Sequence, residues 1–318
     1  MDNIFKRVSS NEKNYDTIKK IIKAALITVL VCVLIVSAFI YLRYFKHYKN
    51  NSEWEHLLAV RNIESYQDEY YYNRYSEDKQ RVYRNIIDSV TESSKFEGKI
   101  KLPKILPNAV VKVHKKGDIK SADDVFDIMY SIDCDMPELI WLGKYKVIDT
   151  RNTMYMLFFY NEQLDTTKEV FKGYEEIDKY MDDIIEPLIS ENKSLIQTEL
   201  DIYQAITSTM IRDSKKEGNA YSSIYGLVSD RKVVCSGTSK TLKYIDKKYN
   251  VGLDVVNVTG NLVTPDSNEK HMWCTVKING ECTIVDIVNC FNLLSHNKCT
   301  MYGIYYEAEG NIEEERII

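Results

Sequence analysis

Lys270-His271-Met272-Trp273-Cys274-Thr275-Val276-Lys277-Ile278-Asn279-Gly280-Glu281-Cys282-Thr283-Ile284-Val285-Asp286-Ile287 reads as a β-hairpin. Asn-Gly between two alternating runs is the strongest short hairpin signal, because both central positions of the favoured turn need positive φ. A two-residue turn sets the register: Ile278 faces Glu281, Val276 faces Thr283, Cys274 faces Val285 and Trp273 faces Asp286. Side chains alternate across a strand, so Met272, Cys274, Val276, Val285 and Ile287 share an apolar, core-facing side. His271, Trp273 and Asp286 share the other side. Asp286 then lies diagonal to His271 at about 7 Å, a gap that imidazole and carboxylate side chains can close.

A histidine oriented by a carboxylate is two parts of a nucleophilic triad, with His271 as base and Asp286 holding its tautomer. The third part is sought upstream. Arg231-Lys232-Val233-Val234-Cys235-Ser236-Gly237 is a short β-branched run that stops at a cysteine and turns into a helix. Thr238, Leu242, Ile245 and Tyr249 follow at helical spacing on one face. With Ser236 as N-cap, Cys235 sits at the positive end of the helix dipole, which stabilises a thiolate. Each residue alone has an ordinary explanation: a buried small hydrophobe for Cys235, a solvent-facing strand residue for His271, a strand-end carboxylate for Asp286. The shared face of the last two, with a cysteine at a helix start before them, is what points to catalysis.

Working outward, residues 253–258 read as a strand ending at Gly260, followed by a polar loop with Pro265. Residues 52–94 are mostly helical in pattern: Trp54, Leu57, Leu58 and Ile63 open the stretch, and Val82, Tyr83, Ile86, Ile87 and Val90 form an amphipathic face. Tyr66, Tyr70, Tyr71, Tyr72 and Tyr75 are expected to pack a helix on a sheet, in preference to forming a carbohydrate or peptide platform. Residues 99–115 alternate like strand, broken by Pro103 and Pro107. Ser121 caps a helix over 122–131, with Asp123 and Asp124 in its first turn. Residues 145–149 and 153–161 are paired strands, and 168–212 carry helical periodicity around Pro187.

Residues 24–42 are uncharged and strongly apolar, near the ~20 needed to cross a bilayer as a helix. A cleaved signal peptide has a shorter apolar run, so the segment reads as an uncleaved signal anchor. Lys6, Arg7, Lys13, Lys19, Lys20 and Lys23 precede it, against Arg43, Lys46 and Lys49 after it. That excess predicts a cytoplasmic N-terminus and an external C-terminal domain. The expected organisation is a cytoplasmic tail over 1–20, a transmembrane anchor over 21–45, an α+β part over 46–200, a catalytic core over 201–300 and a tail over 301–318. No Gly-, Pro- or Ser-rich linker separates the two middle parts, which favours one continuous ectodomain.

With 44% hydrophobic residues and 24 tyrosines in 318, the chain can bury a well-formed core. Its formal net charge of −5 gives no reason to expect a nucleic-acid partner. Seven cysteines over this length make no disulfide framework. Cys32 lies in the apolar span, and Cys290 and Cys299 are close enough to pair in an oxidising compartment, although no spacing rule demands it.

Val-Val-Cys-Ser-Gly before a helix, then His-Met-Trp, then Ile-Val-Asp on the returning strand resembles the transglutaminase-like superfamily in order and spacing. Tyr225-Gly226-Leu227-Val228 matches the small-residue approach to its nucleophile. Asp135-Met136-Pro137-Glu138-Leu139-Ile140-Trp141 looks like a signature found in the N-terminal part of many bacterial members, which would bring residues 60–300 into one architecture. Thr238 stands where an aromatic residue is usual, and Cys274 where an Asn often follows His-x-Trp.

The resemblance implies an α+β, papain-like/transglutaminase-like core and thioester acyl transfer by Cys235, His271 and Asp286. Ser236, Gly237, Trp273 and Tyr225 would bind substrate or serve the oxyanion, with the Cys235 backbone N–H as one donor. No cofactor or metal is expected. The partners are a peptide or protein substrate, with cell-wall peptide a candidate, and the membrane through one helix. Whether water or an amine accepts the acyl group stays open. The rival reading is a catalytically silent binding or scaffold module of the same fold at the cell surface.

Overall fold

The computed structural model describes residues 28, 61, 63, 66–94, 107–164, 166–189, 192–212, 219–263, 268–289, 291–292 and 305–308. The chain divides into two units, Met1–Asn51 and Ser52–Ile318, and the elements below belong to the second. The candidate anchor over 24–42 lies outside the described residues except for Thr28, which is helical; so do Cys32, Cys290, Cys299 and the Trp54–Leu58 part of the helical reading. Among the described residues no helix is long and apolar enough to cross a membrane.

Six α-helices are described: α1 (Glu77–Ser94), α2 (Ala122–Asp135), α3 (Thr167–Tyr180), α4 (Leu195–Thr209), α5 (Ile224–Ser229) and α6 (Cys235–Tyr249). Strands β1 (Ala109–His114), β2 (Leu142–Asp149) and β3 (Thr153–Tyr160) form an antiparallel sheet in the order β1-β3-β2. Strands β4 (Ile211–Arg212) and β5 (Lys232–Val233) make a short parallel pair just before the cysteine. Strands β6 (Val256–Val263), β7 (Asn268–Ile278), β8 (Glu281–Asp286), β9 (Phe291–Asn292) and β10 (Tyr305–Ala308) form a second antiparallel sheet, in the order β10-β6-β7-β8-β9. The fold is therefore α+β.

Local chemistry accounts for these elements. The Asp124 carboxylate accepts the Ser121 backbone N–H at 2.9 Å, satisfying a donor at the start of α2. That helix runs four residues beyond the expected end, to Asp135, where Pro137 prevents further continuation. The apolar positions of α1, Val82, Tyr83, Ile86, Ile87 and Val90, are all buried. In β3 the residues Met154, Met156, Phe158 and Tyr160 alternate inward, as a half-buried strand should. Asn279 and Gly280 take φ of 56° and 88°, the backbone of the expected turn. Ile278↔Glu281, Val276↔Thr283 and Cys274↔Val285 pair as that turn requires.

Several expectations change. Ser236 is not the cap: the helix begins at Cys235, and Val234 is its N-cap residue. Strand β6 starts three residues later than expected and continues through Gly260 to Val263. The tyrosine-rich stretch is not a helix but two 3₁₀ turns, Tyr66–Asp68 and Tyr72–Arg74, whose rings are nevertheless used in packing. Residues 301–318, expected as a tail, contain β10, which extends the sheet beyond β6. The hairpin is also buried on both sides: every residue from Met272 to Val276 is buried. Cys274, Val276, Val285 and Ile287 enter the main core as expected. Met272 joins a second, smaller cluster instead, with Trp273, Ile284, Val256, Val258, Tyr71 and Cys134.

An ionic staple fixes α6 to the rest of the fold. Lys243 lies 2.9 Å from Glu69 and 3.5 Å from Asp135, and Lys247 lies 2.7 Å from Glu138. Burial pushes the Asp135 carboxyl up, to about 6, against the pull of Lys243. Asp135 also accepts the backbone N–H groups of Tyr71 and Tyr72, each at 3.2 Å from Oδ2. The two acids of the Asp135–Trp141 stretch thus hold the helix that carries Cys235.

Candidate active site

Cys235 is the first residue of a 15-residue helix, so its own N–H and those of Ser236 and Gly237 precede the first intrahelical bond, Thr238 N–H to the Val234 carbonyl at 3.3 Å. Such free donors and the aligned helix dipole favour negative charge at the sulfur and at an oxygen beside it. The helix can start here because Gly237 allows close approach. A Cβ at Gly237 would lie 2.6 Å from the Tyr221 carbonyl oxygen and 3.0 Å from that of Ser223, both backbone atoms. Gly237 therefore serves packing at the helix start.

Strand β7 brings His271 to this helix end. Its Nε2 is 2.6 Å from Asp286 Oδ2 on β8. Nδ1 is the other ring nitrogen, and His271 and the Cys235 thiol are close enough for each to shift the other's pKa. The indole of Trp273 stacks near-parallel to the imidazole, at 18° and 6.4 Å between centroids. Trp273 is only 2% exposed, so its part is to cover the base rather than to present a binding face.

The electrostatics follow from that arrangement. Burial disfavours the imidazolium, but the hydrogen bonds to Asp286 and Cys235 outweigh it and lift His271 to about 9. Burial likewise pushes the Cys235 thiol up, yet the hydrogen bond and charge of His271, helped by the Met272 backbone N–H, bring it below its ordinary value. The two shifts run in the directions that favour moving the proton from sulfur to imidazole.

The structure brings Cys235, His271 and Asp286 together, with Ser236 and Gly237 in the helix turn beside the sulfur. Tyr225 lies on α5, with its ring 3.4 Å from a Cβ built at Gly173 of α3. Thr238 is fully buried and donates its hydroxyl to the Cys235 carbonyl at 2.9 Å. Cys274 is also buried, and its thiol reaches the Ser239 carbonyl at 3.4 Å and Asn257 Oδ1 at 3.3 Å. Cys274 thus ties α6 to the sheet. Ser239 adds a second tie, its hydroxyl 3.4 Å from the Met272 carbonyl.

Asn289, in the turn between β8 and β9, is a site residue that sequence patterns do not single out. Its Nδ2 donates to Asp286 Oδ2 at 2.8 Å and its backbone N–H to Oδ1 at 3.3 Å. An Asn three residues after a strand-end Asp is a turn signal that could have located it. A cavity of about 510 Å³ is walled by residues that include Tyr75, Phe126, Thr259, Lys270, Tyr71 and Cys134, and none of Cys235, His271, Asp286 and Asn289 lines it. Tyr71 and Cys134 belong to the cluster against which Cys235 packs.

No family model and no curated protein matches the chain. Among solved structures it is similar to a candidate cysteine protease from Cytophaga hutchinsonii, with a TM-score of 0.30 and 11% identity over 46% of this chain and 62% of that one. It is also similar to a TGase, with a TM-score of 0.29 and 13% identity over 70% of this chain and 64% of that one. The chain thus spans less than two thirds of the length of either.

Proposed function

We propose that this chain is a transglutaminase-like cysteine acyltransferase, acting on amide or peptide bonds of the cell envelope from a membrane-anchored position. One observation carries the chemistry: His271 Nε2 lies 2.6 Å from Asp286 Oδ2, and the imidazole sits close enough to the Cys235 thiol at a helix start to lower the thiol's pKa while its own is raised. A His with its pKa near 9 and a thiol below its ordinary value favour the thiolate–imidazolium pair around neutral pH.

In the first step the Cys235 thiolate adds to the carbonyl carbon, and the oxygen takes up the electron pair. The backbone N–H groups at the start of α6 supply donors for that oxyanion. Collapse of the adduct breaks the C–N bond, and the imidazolium gives its proton to the departing amine. The thioester then passes its acyl group to water, giving an acid, or to a second amine, giving a new amide. His271 accepts the proton of the attacking nucleophile in this half, and the thiolate is restored. Residues 24–42 and the charges around them support the anchored, externally facing placement.

Iodoacetamide labelling of the purified full-length chain across pH tests the chemistry. Cys235 should react at pH values below those of an ordinary thiol, and His271→Ala should move its midpoint up toward the usual ~8.5. Labelling that is slow and indifferent to His271 would leave the silent binding module as the better reading. Protease protection in intact cells tests the placement, and a shielded C-terminal domain would reverse the orientation.

A further inference from the structure

Asp286 is the orienting group of the site, and its two oxygens are both engaged from the turn that follows it. Asn289 Nδ2 lies 2.8 Å from Oδ2, the same oxygen that faces His271 Nε2 at 2.6 Å. The Asn289 backbone N–H lies 3.3 Å from Oδ1. Asp286 Oδ2 is thus held by an imidazole on one side and a carboxamide on the other. The carboxamide can face it only through nitrogen, because the reversed amide would set oxygen against carboxylate oxygen. Asn289 Nδ2 is also 3.3 Å from His271 Nε2, but two N–H groups converging on one acceptor do not bond to each other. The turn is held in place by strand pairing, since Asp286 pairs with Phe291 across β8 and β9.

We propose that Asn289 is a positioning residue for the triad: it locks the Asp286 carboxylate in the orientation that keeps His271 Nε2 protonated and turns Nδ1 to Cys235. The assignment rests on the cysteine-acyltransferase reading of this site, and it adds a fourth residue that acts through Asp286. Without the carboxamide, the Asp286 carboxylate keeps the Asn289 backbone N–H on Oδ1 but loses a donor on Oδ2, the oxygen that meets His271, so its rotation about χ2, a broad torsion, is less restrained. The imidazole then loses alignment at both nitrogens, although every triad member is still present. Trp273 stacks on the face of the imidazole, a contact that does not fix the rotation of the carboxylate.

The test is the pH profile of Cys235 alkylation by iodoacetamide in full-length wild type and N289A. The charged and titratable groups bonded to His271 are Cys235 from α6 and Asp286 from β8, and both stay in the variant. In N289A the midpoint for Cys235 labelling should rise by about one pH unit, giving about a 10-fold slower reaction at pH 6 to 7; that is the size expected from losing a hydrogen bond to a charged group. The thermal transition is measured beside it, and if N289A does not fold, N289G, which keeps a turn-forming residue and has no side-chain donor, takes its place with the same outcomes. A folded variant whose profile matches wild type overturns the role of Asn289 while leaving the acyltransferase reading intact. A wild type whose Cys235 labels like an ordinary thiol overturns that reading, and this assignment with it.

Discussion

His271 Nε2 and Asp286 Oδ2 lie 2.6 Å apart, and this contact works against the burial of the imidazole. Burial alone would lower the pKa of His271; its bonds to Asp286 and Cys235 raise it to about 9. In Asp286→Ala the opposing contribution shrinks, and the His271 ring should titrate well below 9 by NMR. The stability consequence has a definite sign. A folded pKa near 9 against an unfolded value of ~6.5 gives stabilisation that is full below pH ~6.5 and is lost as pH rises through about 9. Denaturant unfolding should therefore separate wild type from Asp286→Ala more at pH 6 than at pH 9.5. An equal gap at both pH values would mean that Asp286 is not what raises the base.

Gly237 and Tyr221 are in conflict for any larger residue. The 2.6 Å approach of a Cβ to the Tyr221 carbonyl involves backbone on both sides, so no side-chain rotation relieves it. Gly237→Ala should cost about 1–3 kcal/mol, as overpacking does. It should also slow Cys235 alkylation, because the helix start must shift to accommodate the methyl group. Thermal unfolding and labelling rate report the two effects separately.

Lys243 is buried among Glu69 and Asp135, apart from the thiol chemistry. Lys243→Met would leave these carboxylates with one cation fewer, and breaking a buried pair in this way costs about 3–5 kcal/mol. Replacing the carboxylates together with the lysine by apolar residues of matching volume should recover much of that loss. Chemical denaturation of the single and combined variants distinguishes the two predictions.

Cys134 and Cys274 should be inert where Cys235 reacts. Both are buried, at 1% and 0% exposure, and burial pushes both thiols up rather than down. Mass spectrometry after brief alkylation at pH 7 should find Cys235 modified and the other two unmodified. Adding denaturant to the unfolding midpoint should expose all three together. Labelling of Cys274 in the native state would contradict its place between Ser239 and Asn257.

The hairpin shows how much of the site is legible in the order of residues. Asn279-Gly280 dictates the turn, a period of two dictates the faces, and so the sequence alone determined that His271 and Asp286 approach each other. The capping pair Ser121 and Asp124, the β-branched run into Cys235 and the inward face of α1 are local in the same sense. Each depends on residues a few positions apart, where backbone geometry leaves few alternatives. The start of α6 departs from this pattern: Ser236 has the better capping chemistry, yet the helix, with its close backbone approach at Gly237, is capped two residues earlier, at Val234.

Only the folded chain decided the rest. Glu69 meets Lys247 across 178 positions, and Asp135 meets Lys243 across 108, so no spacing rule could pair them. The second face of the hairpin is solvent-ready in its pattern, but Tyr71 and Cys134 close over Trp273. Asn289 is readable as a turn residue but not as a support for Asp286, because its meaning depends on where β9 folds back. Sequence determines what its nearest neighbours permit; distant segments converge only through the packing of the whole core, and in this protein that packing holds Cys235 beside its base.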